Sequence, residues 1–466
     1  MSGEAMGGTD TGAGALSPLG RVHFVGIGGV GMSAVARVMV ARGVPVSGSD
    51  AKDLPVMRDL AALGARIAVG YAAENLEDAE TVVAGSAIRA DNPELEEARR
   101  RGLRVLHRSE ALAAAMAGSR VIAVAGTHGK TTTTSMATWM LRGAGLDPSF
   151  AIGATVPALG VNAAAGKTDV FVAEADESDA SFLNYRPLVE VVTNVEADHL
   201  DHYGTEQAVH AAFDAFAALL PADGLLVACA DDPGARALAG RVRALSGAPR
   251  VLLYGSADDA DIRVRFDPTG SSLEWEGTVH ALPLSVPGLH NVLNAAGAFA
   301  AAVAVGADPA RAVASLADFT GASRRFEPKG EERGVRVFDD YAHHPTEVRA
   351  ALAAARAVAG GHGVHVLFQP HLFSRTREFA REFADALAAA DTVRVLDIYP
   401  AREDPIPGVT SELVTAHLPA GAYAADPARA AADLAQAAVA GDIVLTVGAG
   451  DVTSRGQEIL EALRGR

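Results

Sequence analysis

Among 466 residues there is a single cysteine, Cys229. One cysteine excludes an internal disulfide, and with it a disulfide-stapled secreted scaffold, so a reducing compartment is expected. Cys229 ends the apolar run Leu225-Leu226-Val227-Ala228-Cys229, which predicts a buried, inert thiol. No apolar stretch is long enough to span a bilayer. The first 20 residues are rich in Gly, Ala, Ser and Thr and lack the basic start and apolar run of a signal peptide. Residues 1–18 read as a disordered tail. These absences predict a cytoplasmic protein with no membrane partner. Positive charge is also short: 40 Lys and Arg face 57 Asp and Glu, a formal net charge of -17. Sequence-blind nucleic-acid binding needs a basic face, so no nucleic-acid partner is expected. An anionic small substrate remains open, through local clusters of Arg, Lys and His.

Hydrophobic residues make up 49% of the chain, ample for a substantial core. At about 150 residues per domain the length suggests three domains. From Arg21 onward, short β-rich runs alternate with helical spacing in three successive series, at 19–118, 119–321 and 322–466. The first starts with the strand Val22 to Val25 and a helix from Met32 to Ala41, with a second strand from Val44. The second starts with the strand Val121 to Ala125 and a helix from Lys130 to Arg142. The third carries the strands Val335 to Phe338 and Val364 to Phe368, with helices over Thr346 to Val358 and Arg377 to Ala390. The expected class is α/β, with Rossmann-like outer domains around a central P-loop domain of mainly parallel sheet.

Two glycine turns sit between a strand and a helix. Gly126-Thr127-His128-Gly129-Lys130-Thr131-Thr132 fits a P-loop, although Val124 stands at the first glycine position of the usual pattern. Backbone amides of the turn would face ATP phosphates, Lys130 would reach the β- and γ-phosphates, and the Thr131 hydroxyl would ligate Mg2+. Gly26-Ile27-Gly28-Gly29-Val30-Gly31 fits G-x-G-x-x-G, with Asp50 about 20 residues on. That spacing suits NAD, and an NAD-dependent oxidoreductase is one reading. It leaves Lys130 and Thr131 unexplained, and a UDP-type diphosphate satisfies the same physics. A nucleotide-binding scaffold without chemistry is a third reading, which a metal-binding cluster speaks against.

Carboxylates at the end of the strand Val170 to Ala173 suit hard Mg2+ ions, Glu174 first. Glu177 and Asp179 divide evenly between ligands and a solvated acidic loop. His199, after another apolar strand, could complete a metal site or merely pack. In the third series, Asp340-Tyr341-Ala342-His343-His344 and His371-Leu372-Phe373-Ser374-Arg375 follow strands, where open α/β sheets bind ligands. Arg324, Arg325, His371, Arg375 and Arg377 could hold carboxylates or phosphates, or be ordinary surface charge; the paired histidines could be helix caps.

Taken together, these motifs resemble the Mur ligase family. Further markers are Asp198-His199-Leu200-Asp201-His202-Tyr203, His290-Asn291-Val292-Leu293-Asn294 and Ser323-Arg324-Arg325-Phe326. Within the family the resemblance is to members that add L-alanine to UDP-N-acetylmuramate; a sister ligase adding a preformed peptide is the alternative. The resemblance implies a UDP-binding first domain, a central ATPase domain and a C-terminal ligase domain. It implies ATP-driven formation of an acyl phosphate that the amine of L-alanine attacks, a step of peptidoglycan precursor synthesis. By motif, the P-loop residues with His290, Asn294, Arg325 and Asp340 would hold ATP. Thr131, Glu174 and His199 would hold two Mg2+ ions, with Mn2+ able to replace them. Gly28, Gly29, Val30, Gly31 and Asp50 would bind UDP; Tyr341, His343, His371 and Arg375 would line the alanine and muramate end. Lys130, Glu174, His199, Arg325 and His343 would carry the chemistry. Some sister ligases bridge metals with a carbamylated lysine, but no lysine lies between Lys167 and Lys329. A monomer or weak homo-oligomer is expected.

Overall fold

The computed structural model describes residues 19–267, 270–401 and 403–466. The expected tail at 1–18 lies outside the described residues. The chain forms two compact units: one runs to Pro283 and includes Val292–Phe319, the other comprises Leu284–Asn291 and Thr320–Arg466.

The first unit holds two sheets. Strands β1 (Val22–Val25), β2 (Val46–Asp50), β3 (Arg66–Val69), β4 (Thr81–Ala84) and β5 (Arg104–His107) form an all-parallel sheet in the order β3-β2-β1-β4-β5. The strand order reverses at β1, so the glycine turn that leaves β1 opens at a topological switch point. The second strand begins at Val46, later than the apolar run suggested. Pro45 has no N–H to give a ladder; its carbonyl instead accepts Val22 N at 3.0 Å.

The second sheet comprises β6 (Arg120–Ala125), β7 (Ser149–Val156), β8 (Val161–Ala164), β9 (Val170–Glu174), β10 (Val189–Val192), β11 (Leu225–Cys229), β12 (Arg250–Gly255), β13 (Ile262–Arg265), β14 (Ser271–Trp275) and β15 (Thr278–Leu282). Their order is β15-β14-β13-β12-β11-β10-β6-β9-β7-β8. The centre is parallel; β8 pairs antiparallel at one edge, and at the other β13 continues parallel to β12 before β14 and β15 pair antiparallel. Inner strands such as β6 and β9 read as near-continuous apolar runs because helices cover both faces. Cys229 is buried on β11, and burial pushes its thiol up to about 11, in keeping with an inert core residue.

Glu190 breaks that apolar pattern. It lies on β10 opposite Ala123 and Leu226, is fully buried, and neither carboxyl oxygen has a hydrogen-bond partner among the described residues. Burial pushes its pKa well above the ordinary value, so the folded state carries it neutral. A raised folded pKa means that stability is present below the unfolded value of about 4.3 and is lost as pH climbs towards the folded one. Glu190→Met should stabilise the first unit by about 1–3 kcal/mol at neutral pH, with a smaller gain near pH 4.5. Unfolding midpoints measured at both pH values check this; an equal gain, or a loss, contradicts it.

The second unit is built on β16 (Glu327–Glu332), β17 (Val335–Asp340), β18 (Val364–Phe368), β19 (Thr392–Val395) and β20 (Ile443–Val447), in the order β16-β17-β20-β18-β19. Only β16 runs antiparallel. The helix expected from Arg377 to Ala390 spans Phe373–Leu387, with a non-helical Phe379 inside. The earlier start puts Arg375 in its first turn, where it is buried. Three mainly parallel α/β sheets match the expected fold class.

Candidate active site

The first glycine turn is held from below. Gly26 N and Ile27 N both donate to Ser49 O, at 2.8 and 2.9 Å, and Gly28 N donates to Asp50 Oδ2 at 3.0 Å. Asp50 therefore does meet the glycine motif, and its carboxylate shapes the turn. A Cβ on Gly28 would lie 2.9 Å from that oxygen, so a side chain there would displace it. The helix Val30–Ala41 follows at once, placing Val30 and Gly31 in its first turn. Beside the turn, buried Glu94 gathers four donors. Ser49 Oγ (2.6 Å) and His23 Nε2 (3.4 Å) reach Oε2; Asn75 Nδ2 (2.6 Å) and Ala72 N (3.3 Å) reach Oε1. Asn75 Nδ2 also donates to Gly70 O (3.0 Å), and Gly70 N to Asp50 O (2.7 Å), so Glu94 fixes the 70–75 segment next to Asp50.

The second glycine turn leaves β6, whose neighbours β10 and β9 lie on opposite sides, again at a switch point. Gly129 caps the helix Lys130–Gly143 at φ 81, and Gly126 has φ 135; both conformations favour glycine. Thr193 and Asn194, just past β10, brace the turn. His128 N donates to Asn194 Oδ1 (2.7 Å), while Thr193 Oγ1 (2.5 Å) and Asn194 Nδ2 (3.1 Å) donate to His128 O. Asn294 Oδ1 accepts Thr133 Oγ1 at 3.1 Å and would lie 2.6 Å from a Cβ on Gly129. Asn294 thus stands against the loop it was expected to serve.

Lys130 Nζ donates to Gly126 O (2.7 Å), Thr127 O (3.2 Å) and Glu177 Oε1 (2.8 Å). Burial alone would lower its pKa, but Glu177, Asp176 and Glu174 more than offset that and keep it charged. Thr131 Oγ1 donates to Glu174 Oε1 at 3.0 Å, and Glu174 Oε2 accepts Gly153 N at 2.6 Å. His199 Nε2 lies 3.6 Å from Glu177 Oε1 and 3.7 Å from Asp198 Oδ2. Burial lowers its pKa less than these two carboxylates raise it. The structure therefore gathers Lys130, Thr131, Glu174 and His199, four residues that the sequence placed in one site, and adds a fifth at their centre. Glu177, only 2% exposed in its side chain, pairs with both Lys130 and His199. Its charge type alone did not separate it from its acidic neighbours; only the fold brings it under Lys130. Its Oε2 is buried and has no hydrogen-bond partner among the described residues. A carboxylate oxygen so placed, next to the Thr131–Glu174 pair, fits a site that takes a hydrated divalent cation.

In the second unit, Arg324 is a clamp rather than a free anion ligand. Its Nη2 donates to Gly448 O (2.6 Å) and Gly450 O (3.0 Å), and its Nε reaches Asp339 Oδ2 at 3.3 Å. Asp340 accepts Phe326 N and Ala342 N, both at 2.8 Å, and burial pushes its carboxyl up to about 6 against the pull of Arg325. These bonds hold Arg324 and Phe326 at φ 60 and 49, conformations that non-glycine residues rarely adopt. The Tyr341 ring has both guanidinium groups over it, Arg324 at 4.8 Å and Arg325 at 5.1 Å, and Arg325 Nη1 lies 3.8 Å from Glu347. The rings of Tyr341, His343, His371 and Tyr399 follow one another at 5.2, 5.8 and 5.8 Å between centroids. Tyr399, from the loop after β19, was not singled out in the sequence because a lone tyrosine there carries no motif. His344 caps the helix Pro345–Ala359 through Thr346 N, the ordinary role open to one of the paired histidines. His290 also belongs to this unit, whereas Asn294 falls in the first.

Comparison with known proteins matches the chain domain by domain. The Mur ligase family catalytic domain matches residues 21–120, the Mur ligase middle domain 124–302, and the Mur ligase glutamate ligase domain 324–450. A UDP-N-acetylmuramate–L-alanine ligase of Paenarthrobacter aurescens (strain TC1) is 71% identical over 452 residues, which cover 97% of this chain and 98% of that one. Its namesake in Thermobifida fusca (strain YX) is 53% identical over 467 residues, with 96% and 98% covered. The crystal structure of UDP-N-acetylmuramate-alanine ligase from Thermotoga maritima superposes with a TM-score of 0.76 at 28% identity, covering 96% and 99%. A murein peptide ligase from Psychrobacter arcticus 273-4 gives 0.71 at 26%, with the same coverage. With two glycine turns at switch points, a lysine and a carboxylate cluster on the second, and three domain matches in succession, the chain belongs to the Mur ligase family.

Proposed function

We propose that this chain joins L-alanine to the carboxylate of UDP-N-acetylmuramate at the expense of ATP, a cytoplasmic step in making peptidoglycan precursors. One observation carries the phosphoryl-transfer half: the convergence of Lys130, Thr131, Glu174, Glu177 and His199 at the P-loop. The relatives' shared name supports the choice of substrates.

The chemistry follows from the residues. A carboxylate is a poor electrophile, so an oxygen of the muramyl carboxylate first attacks the γ-phosphorus of ATP and ADP leaves. The amine of L-alanine then attacks the acyl carbon, loses a proton, and inorganic phosphate departs. Two anions must approach in the first step. Lys130, held charged by its carboxylate neighbours, supplies fixed positive charge where the γ-phosphate transfers. Mg2+, when bound, would neutralise charge on the phosphate oxygens, and Thr131, Glu174 and His199 would hold it, with Glu177 beside them. We assign two ions to the site, with Mn2+ able to replace them. The turn from Gly28 to Gly31, with Asp50, is assigned to UDP. His290, Asn294, Arg325 and Asp340 are assigned to ATP, and Tyr341, His343, His371 and Arg375 to the alanine and muramate end. No helix among the described residues is long and apolar enough to cross a membrane. We take the chain to be a monomer or a weak homo-oligomer.

Phosphate release should require ATP, UDP-N-acetylmuramate and L-alanine together. A panel of amino acids, a muramyl-type tripeptide and NAD in the same assay separates the readings. Release with the tripeptide but not with L-alanine would make the chain a peptide ligase of the same family.

A further inference from the structure

One arginine outside every motif lies against two of them. Arg108 begins the helix Arg108–Met116, directly after β5. A Cβ on Gly31 would fall 2.5 Å from its Nη1 and 3.0 Å from its Cδ. The guanidinium is thus laid across the first turn of the 12-residue helix Val30–Ala41, and position 31 is glycine so that it can lie there. Its Nη2 donates to Asp176 Oδ2 at 3.3 Å, a single bond and its one side-chain hydrogen bond among the described residues. Nη1 rests on the glycine turn, with no acceptor among the described residues.

That arrangement is electrostatically incomplete. A helix N-terminus carries roughly half a positive charge, and a guanidinium beside it adds a full one. The single carboxylate paired with Arg108 is Asp176. Lys130 has its own ion pair with Glu177, which leaves Asp176 as the counter-ion of Arg108. A pair serving folding alone would gain from bidentate geometry, and a partly exposed single bond of this kind contributes only about 0–1 kcal/mol. Asp176 also sits between Glu174 and Glu177, on the segment that faces Lys130. The same seam is closed by Ser86 Oγ to Asp179 Oδ2 (2.8 Å) and Asn184 Nδ2 to Ser109 Oγ (2.7 Å).

We infer that Arg108 is a substrate-binding residue that takes an oxyanion of the UDP-sugar, and that Asp176 is the positioning residue that aims it. The inference rests on the assignment of the Gly26–Gly31 turn to UDP. Arg108 spans from that turn to the segment carrying Glu174 and Glu177, so binding of the sugar nucleotide and placement of the phosphoryl-transfer carboxylates share one guanidinium. Two oxyanions have the right chemistry, the diphosphate and the muramyl carboxylate.

Calorimetric titration of the full chain with UDP, UDP-N-acetylglucosamine and UDP-N-acetylmuramate tests this. Arg108→Ala should weaken UDP-N-acetylmuramate by roughly tenfold or more, the loss of one charged hydrogen-bond donor in a protected site. Arg108→Lys should recover part of it, and Gly31→Ala, which displaces the guanidinium without removing it, should imitate the loss. Affinity for a non-hydrolysable ATP analogue should stay within about twofold in Arg108→Ala, which a general loss of folding would not allow. An equal loss for all three ligands identifies the diphosphate as the partner; a loss confined to UDP-N-acetylmuramate identifies the carboxylate. Either supports the inference. Wild-type affinity for UDP-N-acetylmuramate in Arg108→Ala overturns it while leaving the UDP assignment intact. Failure of the wild type to bind any of the three overturns the UDP assignment itself, and this inference with it.

Discussion

Replacing Lys130 with alanine should lower kcat for ligation by at least about 1000-fold while changing the affinity for UDP-N-acetylmuramate by less than about threefold. The two halves of this expectation have separate causes. Lys130 is the one cation held at the P-loop turn by Gly126 O, Thr127 O and Glu177, and its charge is maintained by three carboxylates. Charge that develops on a transferring phosphoryl group has no other side-chain cation on that turn to meet it. UDP is assigned to a different sheet, at the turn after β1, which Lys130 does not contact. The substitution also strands Glu177, whose side chain is 2% exposed, and unpairing a buried charge costs about 3–5 kcal/mol. The binding measurement separates a chemical loss from an unfolded protein. A parallel collapse of UDP-N-acetylmuramate affinity in a folded Lys130→Ala variant would contradict the separation of the two sites.

Glu177→Gln is expected to be the second most damaging change, lowering kcat by about 100-fold and raising the Mg2+ concentration needed for half-maximal rate. Glu177 Oε1 holds Lys130 at 2.8 Å and lies 3.6 Å from His199, while its Oε2 is buried without a partner. An amide keeps the shape but removes the charge that orients both neighbours. It also places an N–H or a neutral oxygen where the orphan carboxylate oxygen stood. If Glu177 acts only as a structural counter-ion, Gln should lower the unfolding midpoint and leave the Mg2+ dependence of the surviving activity unchanged. A shifted Mg2+ dependence at an unchanged unfolding midpoint is the signature of a site role.

Local signals had already marked much of this site. The P-loop was legible because a glycine turn between an apolar strand and a helix starting Lys-Thr has few other uses. Asp50 was legible because a carboxylate at the end of the second strand lies next to the turn after the first in any parallel sheet of this order. Glu174 was legible as the carboxylate nearest a strand end. Other residues carried no such signal. Glu177 looked like its acidic neighbours, and only the close approach of Lys130 and His199 distinguishes it. Arg324 and Arg325 are adjacent and chemically alike, and both lie over the Tyr341 ring, yet only Arg324 is a backbone clamp, while Arg325 approaches Glu347. Tyr399 and Arg108 are single residues whose roles depend on partners far along the chain.

The amino-acid sequence by itself determined the class of fold, the places of both phosphate-type turns and the family. These rest on contacts between residues near in sequence: strand, turn and helix in succession, with glycine where φ must be positive. Only the tertiary structure decided which charges meet. Lys130 and Glu177 are 47 residues apart, and Arg108 and Asp176 are 68 apart. A pairing over such separations is set by the order of strands in the sheets, which brings chosen loops to one edge. The burial that makes one carboxylate consequential and leaves its neighbour an ordinary surface charge is set there too.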